Sequence, residues 1–358
     1  MKFSLCDDFL NSKKIIYPLF RYGEEYLNGR TDFAPWAVEI HPTAKCNYRC
    51  IHCSYKERNE NRSEMSKEMF EQLIDSLISM GVKGVYFSGG GEPTAFPYLA
   101  EQIRKLHDNG VEVSLISNAS LFDKMGIIDV LDCINYTCIS VPSCNREMFK
   151  KITGKDTLEE VLAIPQRAKD KFGDAACIMG SRVVVTNLIA DEVPSILKTL
   201  KERNFDYANF KIVRDYESRG LGLSEEAVSD LKIEIDNLSA SGEMDHRFTN
   251  VDKVFEYRKP YKPVGTCHIN KMGLLAVVTP EGDVYPNISE IGMKDFLVGN
   301  LSDAPFEKLW NGSRHQIVKE NSKKRWCAGK CQNCRSISYN EKIESIISGV
   351  PKNLDPFV

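Results

Sequence analysis

Three cysteines stand within eight residues at Cys46, Cys50 and Cys53, in the run Cys46-Asn-Tyr-Arg-Cys50-Ile-His-Cys53. Thiolates at C-x3-C-x2-C spacing can converge on one face of a metal cluster. Iron–sulfur clusters are held by such thiolates, and a cubane has four irons. Three protein ligands therefore leave one iron open, and an open metal position marks a catalytic rather than a structural site. The alternative is a zinc site whose fourth ligand is His52 or a distant residue.

A second group lies far downstream. Cys267 is followed by the run Cys327-Ala-Gly-Lys-Cys331-Gln-Asn-Cys334. Four thiolates fill a tetrahedral zinc site or close one cluster. Cys133, Cys138 and Cys177 read as core cysteines, which behave as small hydrophobes. Cys144 lies just past a strand and is a candidate reactive thiol. Cys6 has no assigned role.

The remaining chain must position these groups. It has 358 residues and 12 cysteines. A disulfide scaffold would be small and secreted. The start, MKFSLCDDFLNSKK, has acidic residues where an apolar signal core should sit. Cysteines in such a chain read as metal ligands or catalytic groups. Lys plus Arg number 47 and Asp plus Glu 50, a net charge of −3. That balance gives no electrostatic footprint for nucleic acid or an anionic membrane. No run of about 18 apolar residues predicts a spanning helix.

From Trp36 onward the hydrophobic period alternates between two and 3.6. Strands are predicted at 36–41, 84–88, 111–117, 134–141, 177–186 and 208–213. Helices are predicted at 63–80, 96–109, 121–131, 157–172 and 191–203. Six strands alternating with helices predict a parallel sheet with its chemistry at the C-terminal strand ends. Those ends carry the cysteine triplet, Gly89-Gly90-Gly91-Glu92-Pro93, Ser117-Asn118, Ser140 with Ser143 and Cys144, Thr186-Asn187, and Arg214-Asp215. Past residue 222 the pattern changes: a helix at 224–238, an irregular stretch, then a hairpin turning at Glu281-Gly282. Helices follow at 303–311, 313–321 and 339–348. The expected division is an extension at 1–35, a barrel-like domain at 36–222 and a smaller domain at 223–358.

The triplet after the first strand and GGGEP after the second together resemble the radical SAM superfamily. The likeness covers 36–215 and implies an α/β fold, a partial (β/α)6 barrel. It implies a [4Fe-4S] cluster on Cys46, Cys50 and Cys53, with the open iron chelated by S-adenosylmethionine and cleavage to a 5′-deoxyadenosyl radical. His52 fills the family's aromatic slot near the adenine. Gly89, Gly90 and Gly91 match the strip that meets the cofactor's ammonium, with Glu92 in the same network. Ser140 matches a ribose-contacting position, although Pro142 stands where an acidic residue often follows. Asn118 matches a position facing the nucleoside. Arg182 is a candidate partner for the cofactor's carboxylate, because guanidinium and carboxylate pair bidentately. Cys144 is a candidate hydrogen-atom donor, as in epimerases of the family.

The C-terminal cysteines resemble the SPASM/twitch extension of radical SAM enzymes. The full pattern has a cysteine five residues after the hairpin glycine; here Asn287 stands there. One auxiliary [4Fe-4S] cluster on Cys267, Cys327, Cys331 and Cys334 is the expectation. The favoured activity is oxidation of a small polar metabolite such as a sugar or aminocyclitol derivative, the auxiliary cluster taking an electron. The alternatives are an epimerase, a peptide- or protein-modifying enzyme, and more remotely a zinc-binding protein without activity. Peptide-modifying relatives often carry a leader-binding domain, whereas 45 residues precede Cys46 here. An external donor such as flavodoxin or ferredoxin, no nucleic-acid or membrane partner, and a cytoplasmic location complete the expectation. Arg214, Asp215, Tyr216 and Arg219 are further candidates for binding a polar substrate.

Overall fold

The structure is a computed structural model that describes residues 13–55, 60–213, 219–249, 265–331, 334 and 336–349. In chain order the elements are α1 (Lys13–Leu27), β1 (Ala37–Ile40), α2 (Lys67–Ser79), β2 (Gly84–Phe87), α3 (Leu99–Asp108) and β3 (Glu112–Ser117). Next come β4 (Tyr136–Ser140), α4 (Arg146–Thr153), α5 (Leu158–Leu162), α6 (Ile164–Phe172), β5 (Ile178–Val185), α7 (Val193–Glu202) and β6 (Tyr207–Ile212). Then follow α8 (Glu225–Ala240), α9 (His246–Thr249), α10 (His268–Met272), β7 (Leu275–Val278), β8 (Asp283–Tyr285) and β9 (Gly299–Asn300). The last helices are α11 (Phe306–Trp310), α12 (Ser313–Cys327) and α13 (Ile337–Gly349).

The elements fall into two compact units. One comprises the described residues of 1–40, 65–85 and 259–358; the other comprises those of 41–64 and 86–258. In the second unit the strand order is β6-β5-β4-β3-β2, and β3 through β6 pair in parallel. Parallel neighbours need a crossover, and α3 and α7 provide it. The apolar stripe of α3, Leu99, Ile103 and Leu106, is fully buried, as is that of α7, Ile196, Leu197 and Leu200. Facing them are Val113, Leu115, Ile139, Val183 and Val185, also fully buried.

Successive strand residues alternate faces, and the other face differs. Ser114, Tyr136, Ser140, Arg182, Asn209 and Lys211 are half-buried there. Register places Ile116, Cys138, Gly180 and Tyr207 on one rung, and Ser140, Arg182 and Asn209 on the next toward the C-terminal strand ends. One face is thus a packed core, and the other sets these polar groups among Ile116, Cys138, Gly180 and Val184.

In the first unit β1 pairs in parallel with β7, and β7-β8-β9 form an antiparallel meander. The predicted hairpin is present, with Gly282 at φ +84° closing its turn. Tyr26 and Phe33 bury against Ile269, Met272, Leu274 and Ile343, with Leu19 and Tyr22 of α1 packed on the cluster. Trp310 Nε1 donates to Phe33 O at 3.1 Å.

Several elements differ from expectation. The predicted helix at 121–131 is a set of turns ending in a 3-10 segment, Ile127–Cys133, because Gly126 is left-handed at φ +66° and breaks the α pattern. The predicted helix at 157–172 is split into α5 and α6, with Pro165 at the start of α6. Helix α4, unread in the sequence, has the signals of one: Asn145 accepts from Met148 N, and Gly154 ends it at φ +75°. Helix α12 runs past 321 to Cys327 itself.

Candidate active site and auxiliary thiol site

The triplet lies on the loop after β1, and the loop is tied down on several sides. Arg49 N donates to Thr153 O and Ile51 N to Ile152 O, fixing the loop to the end of α4. The Arg49 guanidinium donates to Cys46 O at 2.8 Å and to Tyr48 O at 2.9 Å. Burial pushes the Cys46 thiol up to about 11 and the Cys50 thiol up to about 12. The charge of Cys53 raises both further, and that of Cys46 raises Cys50, so the three stand close together. Desolvated thiolates need compensating positive charge, which cluster irons supply.

The glycine strip is pressed against this loop. Glu92 N donates to Lys45 O at 2.8 Å. A Cβ on Gly91 would stand 2.3 Å from Lys45 O and 2.6 Å from Thr43 O. Gly89 adopts φ +145°, and a Cβ there would meet His41 at 3.0 Å. Only glycine permits this approach of one backbone to another.

Glu92 is 3% exposed and accepts four hydrogen bonds. They come from Thr94 N at 3.1 Å, Thr94 Oγ1 at 2.7 Å, Ser117 Oγ at 2.6 Å and Asn118 N at 2.8 Å. Burial raises its pKa and these donors oppose the rise. Glu92 thus joins the end of β2 to the end of β3. The Asn118 amide is engaged as well: Nδ2 donates to Asn47 Oδ1 at 2.9 Å, and Oδ1 accepts from Ser120 N and Oγ. Asn47, next to Cys46, in turn donates to Ser120 Oγ at 2.8 Å. Asn118 therefore braces the cysteine loop.

His52 carries a buried Nδ1 with no hydrogen-bond partner in the structure. Burial, and secondarily the charge of Arg219, lower its pKa to about 4, so the ring is neutral near pH 7. Arg182 likewise has a buried Nε without a hydrogen-bond partner, beside Ser140 on the polar face. Two desolvated thiols with Cys53 beside them, a glycine cradle and two orphaned nitrogens fit a cluster with a polar organic ligand.

Cys144 is not brought onto that face. Its thiol lies 4.0 Å from Ile196 O on α7, and burial pushes it up to about 12. The cysteine on the polar face is Cys138, fully buried beneath the Ser140 rung. Arg219 points back to the cysteine loop, donating to Ile51 O at 2.7 Å and Cys53 O at 3.2 Å. Arg214, Asp215 and Tyr216 lie outside the described residues, as does Cys6. Asn209, which completes the rung with Ser140 and Arg182, went unread in the sequence; its strand register was the available signal.

In the first unit Cys267, Cys331 and Cys334 group around the fully buried Trp326. Cys327 Sγ stands 3.9 Å from Gly265 O, two residues before Cys267. The thiols meet amide donors: Asn340 Nδ2 at 3.4 Å from Cys267 Sγ, and Asn287 Nδ2 at 3.6 Å and Ser336 N at 3.4 Å from Cys334 Sγ. Asn287, the residue in place of a cysteine, therefore supports a thiol. Donors directed at sulfur stabilise thiolate ligands and tune a cluster's potential. Glu290, 3% exposed, adds a carboxyl that burial pushes up to about 7. Among the described residues no three His, Cys, Asp or Glu side chains converge closely enough to hold a single metal ion.

Beside Cys267, His268 forms a buried chain. Tyr26 OH lies 2.6 Å from its Nδ1, and Glu344 Oε2 lies 2.7 Å from its Nε2. An ionised Glu344 only accepts, so Nε2 carries the proton and Tyr26 donates to Nδ1. Tyr26→Phe leaves Nδ1 buried and unpaired. It is expected to cost about 1–3 kcal/mol and to lower the denaturant midpoint; an unchanged midpoint would contradict this pairing.

Comparison with known proteins completes the picture. The radical SAM superfamily model matches residues 40–200, and the SPASM model, an iron–sulfur cluster-binding domain, matches residues 267–335. An S-adenosylmethionine-dependent nucleotide dehydratase of Selenomonas ruminantium is 26% identical over 194 residues, covering 50% of this chain and 65% of its own. The chain thus spans just under two thirds of that relative. The mycofactocin maturase MftC of Mycolicibacterium smegmatis is 26% identical over 336 residues, 89% of this chain and 80% of its own. In fold, the chain resembles Streptococcus suis SuiB bound to the precursor peptide SuiA, with TM-score 0.62 at 15% identity, covering 96% and 80% of the two chains. No helix among the described residues is long and apolar enough to cross a membrane. Each thiol group falls inside one of the two matched stretches, and the chain belongs to the radical SAM superfamily, with a C-terminal SPASM domain for auxiliary iron–sulfur binding.

Proposed function

We propose that the enzyme dehydrogenates a small polar metabolite bound on the half-buried face of β4, β5 and β6. The observation that carries this reading is Asn209, with Lys211 one step beyond it, on the face that also carries Ser140 and Arg182. Ligand sites are mostly apolar with a few placed polar groups that fix orientation, and this face sets such groups among Ile116, Gly180 and Tyr207. When bound, the cluster and S-adenosylmethionine supply a 5′-deoxyadenosyl radical, the hydrogen-abstracting species. Cys46, Cys50 and Cys53 hold the cluster. The strip Gly89–Gly91 and Arg182 would take the amino and carboxylate ends of the cofactor, His52 would serve its adenine, and Ser140 its ribose. Asn209 and Lys211 orient the substrate. Cys267, Cys327, Cys331 and Cys334 hold the auxiliary cluster. A flavodoxin or ferredoxin as electron donor and a cytoplasmic location belong to the same proposal.

Peptide modification is the second reading. It is supported by the long match to MftC, a maturase, and by the fold shared with peptide-bound SuiB.

The test incubates reduced, reconstituted enzyme with S-adenosylmethionine and fractionated small molecules or peptides. The expected result is a small-molecule product two hydrogens lighter than its substrate, formed in step with 5′-deoxyadenosine. Asn209→Leu is expected to lower product while 5′-deoxyadenosine still forms. A product of unchanged mass carrying solvent deuterium would make the enzyme an epimerase. Turnover confined to peptide fractions would establish the second reading.

A further inference from the structure

Arg219 stands seven residues beyond the end of β6, yet its guanidinium is committed to the cysteine loop. Nη1 donates to Ile51 O at 2.7 Å and to Cys53 O at 3.2 Å, and Nη2 donates to Cys53 O at 3.2 Å. These carbonyls flank His52. Arg49 holds Cys46 O and Tyr48 O, and the end of α4 holds the amides of Arg49 and Ile51. The last turn closes on itself through Cys53 N to Cys50 O at 3.2 Å. Arg219 thus places a cation on the Ile51–Cys53 end of the loop.

We propose that Arg219 is a positioning residue that fixes Cys53 and, through its charge, raises the reduction potential of the cluster on the N-terminal triplet. The inference rests on the cluster assignment and not on the identity of the substrate. Three thiolates on a [4Fe-4S] core of charge 2+ give a net charge of −1, and one-electron reduction makes it −2. A fixed cation beside the ligand loop stabilises the more negative state, so it eases reduction. The site is partly desolvated, which weakens solvent screening of that interaction. A guanidinium also suits this place geometrically, because its fork can reach two carbonyls at once. The sequence offered Arg219 as a substrate-binding candidate; its bonds assign it to the cofactor loop instead.

The experiment uses the full chain, reconstituted anaerobically, as wild type, Arg219→Gln and Arg219→Lys. Iron and sulfide are measured first. Each protein is then titrated electrochemically while the electron paramagnetic resonance signal that responds to added S-adenosylmethionine is followed. That response separates the N-terminal cluster from the auxiliary one. The expected result is a midpoint shifted to more negative potential in Arg219→Gln and restored toward wild type in Arg219→Lys. Loss of N-terminal iron from Arg219→Gln with retention in Arg219→Lys would equally support the proposal. A wild-type midpoint in Arg219→Gln would overturn it. So would a lysine variant that matches the glutamine variant in midpoint or in iron loss, because charge would then not be the operative property.

Discussion

Replacing Gly91 by alanine is expected to lower 5′-deoxyadenosine formation by about 100-fold or more, the loss that a displacement near 1 Å produces in an active site. The added Cβ would lie 2.3 Å from Lys45 O and 2.6 Å from both Ala44 C and Thr43 O. All three are backbone atoms of the segment that leads directly into Cys46. No rotamer change relieves such an overlap, so the segment itself must move. The hydrogen bond from Glu92 N to Lys45 O ties the same two strips and would be strained with it. Iron bound by the N-terminal triplet should fall while iron bound by the SPASM cysteines stays, since these sites belong to separate compact units. Wild-type turnover in Gly91→Ala would show that the strip is not held against the loop as described.

Glu92→Gln is the second large effect, and here stability should fall together with activity. The carboxylate accepts three hydrogen bonds on Oε1 and one on Oε2, with donors on both sides. A glutamine must turn its NH2 toward one set, leaving a buried backbone N–H or hydroxyl facing another donor. One such unsatisfied buried group costs about 1–3 kcal/mol. The consequence is local as well: Ser117 and Asn118 would lose their anchor, and Asn118 braces Asn47 beside Cys46. A lowered denaturant midpoint and reduced S-adenosylmethionine binding are the expected readings. A variant with the wild-type midpoint would place Glu92 outside the structural role its four donors imply.

Both effects were partly legible in the sequence. The triplet, the glycine strip and the strand–helix alternation lie in short stretches where residue type and spacing carry the meaning. The six strands are accordingly recovered with only small boundary differences. Residue roles set by distant partners were harder to read. Asn118 matched a nucleoside-facing position, but its amide is spent on Asn47, 71 residues away. Asn340 reaches Cys267 across 73 residues and Arg219 reaches Cys53 across 166, and no local pattern encodes either pairing. Cys144 sits at a strand end, where position along the chain is readable but side-chain direction is not; its thiol faces α7. The broken helix near Gly126 has the same origin, since whether a glycine turns left-handed or continues a helix is decided by packing.

The central claim is that this chain reductively cleaves S-adenosylmethionine on the cluster held by Cys46, Cys50 and Cys53. The most direct test is to quantify 5′-deoxyadenosine and methionine after anaerobic reconstitution and reduction with dithionite. Wild type and a variant with all three cysteines changed to alanine are compared. Wild type should yield both products in equal amounts, and the triple variant neither, while still binding iron at the SPASM cysteines. Absence of 5′-deoxyadenosine from iron-loaded wild type, or its undiminished formation by the triple variant, would contradict the account.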